Sequence, residues 1–274
     1  FTLRGNMTYS KNKIIERDEE NTIYEYKLDQ GHRVNQATGF IALGLFKDYE
    51  EIRNSPKQEF KYTKTQNGYT EGEIYEIMPG DIKYKDVNGD GVITTDDEVP
   101  LGYRQQPGLQ YGIGLSASWK NWNFSMLLQG TGKCDFFVGG SGPHAFHDGR
   151  TGNILQVMVD GNRWIPKEFR ARKLRNPNAD WPRLTYGNNN MNNRASTFWL
   201  KDRKYMRLRN VELSYDFPQV WTRKFLVSNL RLGFIGQNLF TWAPFDWWDP
   251  EGTNESGSSY PINKTFSCYL QFSF

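Results

Sequence analysis

The 274-residue sequence has little of what enzymes use: two cysteines, Cys134 and Cys268, and three histidines. Two cysteines build no metal framework and permit one disulfide at most. Both are expected to be free, because disulfide-stapled domains carry far denser cysteine. His144 and His147 in "HAFH", beside Asp148, form the one cluster a transition metal could use. Without a helix to present them or a general base they read as loop. There is no phosphate-binding glycine loop and no nucleophile elbow, and Asp246 and Asp249 read as solvated loop acids rather than a glycosidase pair. The chain is therefore not expected to be an enzyme. Charge of one sign is also lacking: 34 Lys+Arg against 31 Asp+Glu leave +3, which argues for no nucleic-acid partner. No apolar run approaches ~20 residues, which excludes a transmembrane helix but not a membrane barrel. The opening "FTLRGNMTYS" starts inside a strand-like pattern without an initiator Met, so the chain is expected to be a piece of something longer.

What is present is aromatic residues, at 15%, and long strict alternation of apolar with polar positions. Flat amphipathic rings suit sugar-binding surfaces and membrane interfaces, and alternation marks strands with two unlike faces. Six segments qualify, at about 1–13, 108–120, 122–132, 204–217, 229–242 and 265–274. In the second, Leu109, Tyr111, Ile113, Leu115, Ala117 and Trp119 oppose Gln110, Gly112, Gly114, Ser116, Ser118 and Lys120. In the fourth, Val211, Leu213, Tyr215 and Phe217 oppose Asn210, Glu212, Ser214 and Asp216.

The connections alternate between short and long. "KNW" and "QVWTRKFLVS" are short, whereas roughly a hundred, seventy and twenty residues separate the other pairs, far beyond hairpin lengths. Outer-membrane barrels have this asymmetry, with short periplasmic turns and long extracellular loops. Trp119, Trp122, Tyr215, Phe217 and Trp221 fall near the short-turn end, with Phe240 and Trp242 at the other, where interfacial girdles belong. A soluble β-sandwich with core aromatics is the alternative. Inside the long connections "GLFKDYEEIRN" predicts one helix, with Leu45, Tyr49 and Ile52 on a face, while the Asn run 188–193 reads as a loop tip.

One loop carries a pattern for a hard cation. "DVNGDGVITTDD", within 80–98, sets Asp86, Asn88 and Asp90 at alternate positions and Gly91 at the bend. Val92 offers its carbonyl, Thr94 a hydroxyl or water, and Asp97 the position-twelve carboxylate. The expected ion is Ca2+, held weakly because Asp97 is shorter than the usual Glu; the alternative is an acidic turn held by its own hydrogen bonds. Trp247 and Trp248 in "FDWWDP" are candidates to stack on a sugar or peptide face, or else pack their loop. Arg207 and Arg209 share parity with Val211 and are expected to meet outer-leaflet phosphates, unless a bulge reverses that parity. The basic group Arg170, Arg172, Lys173 and Arg175 reads as a solvated face.

Several stretches, taken in order, resemble the SusC/RagA family of TonB-dependent outer-membrane transporters of Bacteroidetes: "GNMTYSKNKIIERDE", "GHRVNQATGFIALGLF", "PGDIKYKDVNGDGVITTDDEVPLG", "YGIGLSASWKNWNFSMLLQG", "STFWLKDRKYMRLRNVELSYDFP", "LRLGFIGQNLFTW", "DPEG" and the closing "YPINKTFSCYLQFSF". The resemblance implies an all-β piece, the last six antiparallel strands of a transmembrane barrel of roughly twenty-two strands. It also implies import of glycans or peptides with a SusD-like surface lipoprotein, energised by TonB through an N-terminal region and plug outside this sequence. The rest of the barrel would be a separate or cleaved chain, the C-terminus would be periplasmic, and Tyr269, Phe272 and Phe274 would form the terminal barrel-assembly signal. Against this stands a soluble, calcium-dependent glycan-binding β domain with no transport role.

Overall fold

A computed structural model describes all residues except 21, 61–75, 104, 148–151, 161, 167–178, 187–188 and 253. Its frame is one antiparallel sheet of six long strands in chain order: β1 (Thr2–Tyr9), β2 (Leu109–Trp119), β3 (Trp122–Gly132), β4 (Tyr205–Asp216), β5 (Asn229–Trp242) and β6 (Thr265–Ser273). The register places like with like. Leu3 lies opposite Leu115, Leu115 opposite Met126, Met126 opposite Val211, and Leu213 opposite both Phe124 and Phe234. Because side chains alternate across a strand, this register collects the large apolar residues on one face of the sheet.

That face is uncovered. Leu3, Met7, Ile113, Leu213, Phe234, Phe266, Leu270 and Phe272 are all exposed, Phe266 at 77%. Trp119 pairs with Trp122 across a tight turn at Lys120, whose φ of 52° is left-handed, and the Trp122 ring meets Tyr215 at 4.8 Å. At the opposite end Phe240 and Trp242 stack at 6.2 Å. From Met206 to Tyr215, β4 runs ~30 Å along the strand, or ~21 Å normal to a bilayer at a tilt near 45°, close to the ~25 Å apolar band of membrane barrels.

The apolar core lies elsewhere, in the long connections. One cluster joins Phe40, Phe60, Ile82, Tyr84 and Ile93 of the first connection to Met191 of the second. Another joins Phe136, Val138, Met158 and Trp199 of the second to Phe245 of the third. A buried ion pair fastens the first two connections: fully buried Asp81 accepts from Arg183 Nε at 2.7 Å and from Asn192 Nδ2 at 2.8 Å. The first helix, α1 (Tyr49–Arg53), is shorter than the sequence pattern predicts. Asp48 is extended and accepts from the Glu51 amide, which fixes the helix start, while Leu45 belongs to a short strand paired with Ile82–Tyr84. The described residues also include two further short helices, α2 (Gln156–Asp160) and α3 (Gln219–Thr222). The sheet is an arc whose edges, β1 and β6, each lack a partner strand among the described residues.

Candidate functional site

The second face of the sheet is polar and hydrogen-bonded. Arg231 grips Asp216 at 2.5 and 3.0 Å, Asp216 also accepts from Asn123 at 2.8 Å, and Tyr269 donates to Glu212 at 2.5 Å. The Tyr269 ring lies over Gly233, where any Cβ would stand 2.3 Å from it, so that glycine is what lets the ring fold flat against the wall. Tyr269 thus faces opposite to Phe272, which is 54% exposed on the apolar side; Phe274 beyond it is 86% exposed.

At the loop end this polar face closes into an arginine–carboxylate clamp. Arg207 is 2% exposed and donates to Thr241 at 2.9 Å, Glu251 at 2.9 Å and Asp249 at 2.6 Å. Arg209 donates to Glu251 at 2.6 Å, Gln129 at 3.0 Å and Asn238 at 3.1 Å. Arg203 adds bonds to the Pro250 and Glu251 carbonyls. Of the two readings of Arg207 and Arg209, outer-leaflet phosphate contact is corrected by this geometry and the parity-reversing bulge is what the strand contains. A β-bulge between Leu208 and Asn210 inserts Arg209 as an extra residue, so Leu208 takes the apolar face and Arg207 turns inward. The acids that receive them, Asp249 and Glu251, were missed as partners. Their signal was two arginines two apart, followed by two acids two apart in the next long connection.

In the acidic loop, Asp86 accepts from the Gly89 and Gly91 amides at 2.7 and 2.9 Å, and Asp90 from Val92 at 2.8 Å. Asn88 accepts from the Asp90 amide at 3.0 Å. Fully buried Asp97 accepts from the Val87 and Thr94 amides at 2.7 and 2.8 Å, while Thr94 caps a helical turn at 95–97. Gly89 and Gly91 adopt φ of 78° and 85°, and buried Ile93 pins the loop to the first apolar cluster. The donors are all hard oxygens, the chemistry calcium selects. Their present geometry is a self-supported turn: each carboxylate is engaged by amides, and among the described residues no three His, Cys, Asp or Glu side chains converge as metal ligands.

Trp247 and Trp248 are half-buried against the second apolar cluster. Trp247 stands 5.2 Å from Trp181 and beneath the Lys201 ammonium at 5.3 Å, and Trp248 packs edge-on to Phe245 at 4.9 Å. Burial lowers the Lys201 pKa. The rings thus pack their loop against the second cluster while remaining partly exposed. His144 is buried against Trp199 at 4.9 Å, and burial, followed by the neighbouring His147, lowers its pKa to about 4. Asp148, Arg170, Arg172, Lys173 and Arg175 lie outside the described residues. Cys134 is buried and Cys268 exposed, both as free thiols.

No protein-family model matches the chain. Among curated proteins it is similar to TonB-dependent receptor P26 of Formosa agariphila, at 30% identity over 260 residues, which covers 90% of this chain and 23% of that protein. It is also similar to TonB-dependent receptor P3 of the same organism, at 23% over 288 residues, 98% of this chain and 26% of that protein. Among solved structures it matches the RagAB peptide importer in its open-open state with a TM-score of 0.62 at 17% identity, covering 99% of this chain and 26% of that chain. A second RagAB peptide transporter structure matches with a TM-score of 0.56 at 18% identity, covering 89% and 23%. The chain therefore spans about a quarter of the length of the proteins it matches. These relatives are receptors and transporters, not enzymes. With a two-faced sheet bound to an internally packed set of loops, and with this similarity over most of its length, the chain belongs to the TonB-dependent receptors and has the fold of the SusC-like RagA.

Proposed function

We propose that the chain forms part of the wall and outer loops of a TonB-dependent importer in a Gram-negative outer membrane. Its long loops would be extracellular and its C-terminus periplasmic. The observation that carries this reading is the sheet: one face apolar and uncovered over a span close to the apolar band of membrane barrels, the other largely polar, with Arg231 hydrogen-bonded to Asp216 and Tyr269 to Glu212 on it. In hydrocarbon a sheet with open edges leaves backbone groups unpaired, so β1 and β6 call for the remaining strands of a barrel of roughly twenty-two. Those strands and the plug would come from outside this chain, as another chain or an N-terminal part, with TonB acting through that region. A SusD-like lipoprotein would cap the loops, and the cargo would be glycans or peptides, the RagAB likeness favouring peptides. Phe272 and Phe274, with Tyr269 behind them, would supply the assembly signal.

Intact mass and partner content after detergent extraction of native membranes test this. Co-purification from the outer-membrane fraction with a larger N-terminal part and a lipoprotein is the expected outcome. A monodisperse monomer in plain buffer would overturn the reading and favour a soluble glycan-binding domain.

The loop at 86–97 would take Ca2+ through Asp86, Asn88, Asp90, the Val92 carbonyl, Thr94 and Asp97, as a rigid scaffold where the loops meet cargo. Hard-oxygen donors and the left-handed Gly91 support this. Calcium bound by the wild type and lost in Asp90→Ala, with faster proteolysis of the loop, is the expected result; equal ion content in both would defeat it.

A further inference from the structure

The apolar face of the sheet is not uniformly ridged. Where β4, β5 and β6 meet, a groove of about 350 Å³ runs between Val211, Leu213, Phe234, Leu239 and Phe266, with Gly236 as part of its floor and Cys268 at its lower edge. Gly236 and Phe266 are register partners, so a missing side chain opens the groove beside a large exposed ring. The bulge shapes its upper end. Asn238 has a left-handed φ of 54° and bonds to Arg209 and to the Asn263 carbonyl, which swings Leu239 over Gly236.

Two residues above Phe266, with the same parity and so on the same face, Lys264 is exposed. Its ammonium lies 5.7 Å over the Phe240 ring, and among the described residues it pairs with no carboxylate. Phe240 and Trp242 mark the interface at this end, so the cation stands where headgroup phosphates lie, and the groove descends from it toward mid-membrane.

We propose that this groove seats one acyl chain of a phosphate-bearing lipid of the outer leaflet, lipopolysaccharide, whose phosphate is held by Lys264. The inference rests on the outer-membrane reading above. The chain's polymethylene fills a recess that bulk lipid would fill only transiently, and the lysine selects an anionic headgroup over a zwitterionic one.

The test is native mass spectrometry of the intact receptor extracted from its outer membrane, in wild type, Gly236→Phe and Lys264→Glu forms. A Cβ at Gly236 would approach only the flexible end of Leu239, at 2.8 Å, so a larger side chain occupies the groove without moving backbone. The wild type is expected to retain one lipopolysaccharide after delipidation, Gly236→Phe to lose most of it, and Lys264→Glu to retain about fivefold less. Equal retention by all three forms, or retention of a glycerophospholipid instead, would overturn the proposal. Absence of the receptor from the outer-membrane fraction would fail the importer reading itself, so the two failures are distinct.

Discussion

The sheet and the loops obey opposite rules in one chain. Among the described residues, nearly all buried apolar side chains, from Phe40 through Trp199 to Phe245, belong to the long connections; Tyr205, at the loop end of β4, is the exception. The strands instead show Leu3, Phe234, Phe266 and Leu270 outward and carry the hydrogen-bonded pairs Arg231–Asp216 and Tyr269–Glu212 behind. The difference shows which solvent each part is built for. Loops in water must bury apolar surface to stay ordered, whereas a sheet in lipid gains nothing by hiding it and must instead satisfy every backbone and inward polar group. The clamp of Arg207 and Arg209 on Asp249 and Glu251 lies at the seam, fastening the last loop to the wall where one regime gives way to the other.

The largest effect expected from breaking this contrast is in the loops. Asp81→Ala leaves the Arg183 guanidinium beside an empty site in a buried environment and removes the acceptor for Asn192. It should cost about 3–5 kcal/mol and abolish hydrogen-exchange protection at Ile82 and Tyr84 while the strands stay protected. Loss of protection in both regions together would mean that sheet and loops unfold as one unit. Next comes charge on the lipid face. Phe234→Arg should destabilise insertion by about 2–4 kcal/mol, read as loss of folded receptor from the outer membrane, whereas Gln271→Arg on the opposite face should leave abundance unchanged. Equal losses would erase the distinction between the two faces.

The smallest effect expected is pH-dependent. His144 has a folded pKa of about 4 against about 6.5 unfolded, so the unfolded chain binds the extra proton between those values. Its contribution is full above pH ~6.5 and falls as pH drops toward 4, by at most about 2 kcal/mol at pH 5. Proteolysis of the second loop should quicken over that window, and His144→Gln should flatten the dependence. A profile identical in wild type and variant would assign the acid sensitivity to other groups.

Much of the sheet was legible beforehand because period-two alternation is a local property: the segments at 108–120 and 122–132 carry β2 and β3, and 204–217 and 229–242 carry β4 and β5. The helix was legible only in part, since the cap at Asp48 outweighed the apolar spacing that included Leu45. For the arginines, parity counting along an unbroken ladder favoured the lipid face, and the alternative of a bulge could not be chosen from the sequence. One extra residue at the bulge inverted everything above it, and propensity carries no mark for that.

By itself, then, the sequence determined the all-β class, the two unlike strand faces, the aromatic residues at the strand ends and the acidic loop, since each depends on residues near one another in the chain. Only the tertiary structure decided where Arg207 and Arg209 point, which acids receive them, that Asp81 and Arg183 form a buried pair about a hundred residues apart, and that Trp247 and Trp248 pack rather than project. Those outcomes depend on register and on contacts between distant loops, and burial selects such contacts only once the strands have fixed where each loop begins and ends.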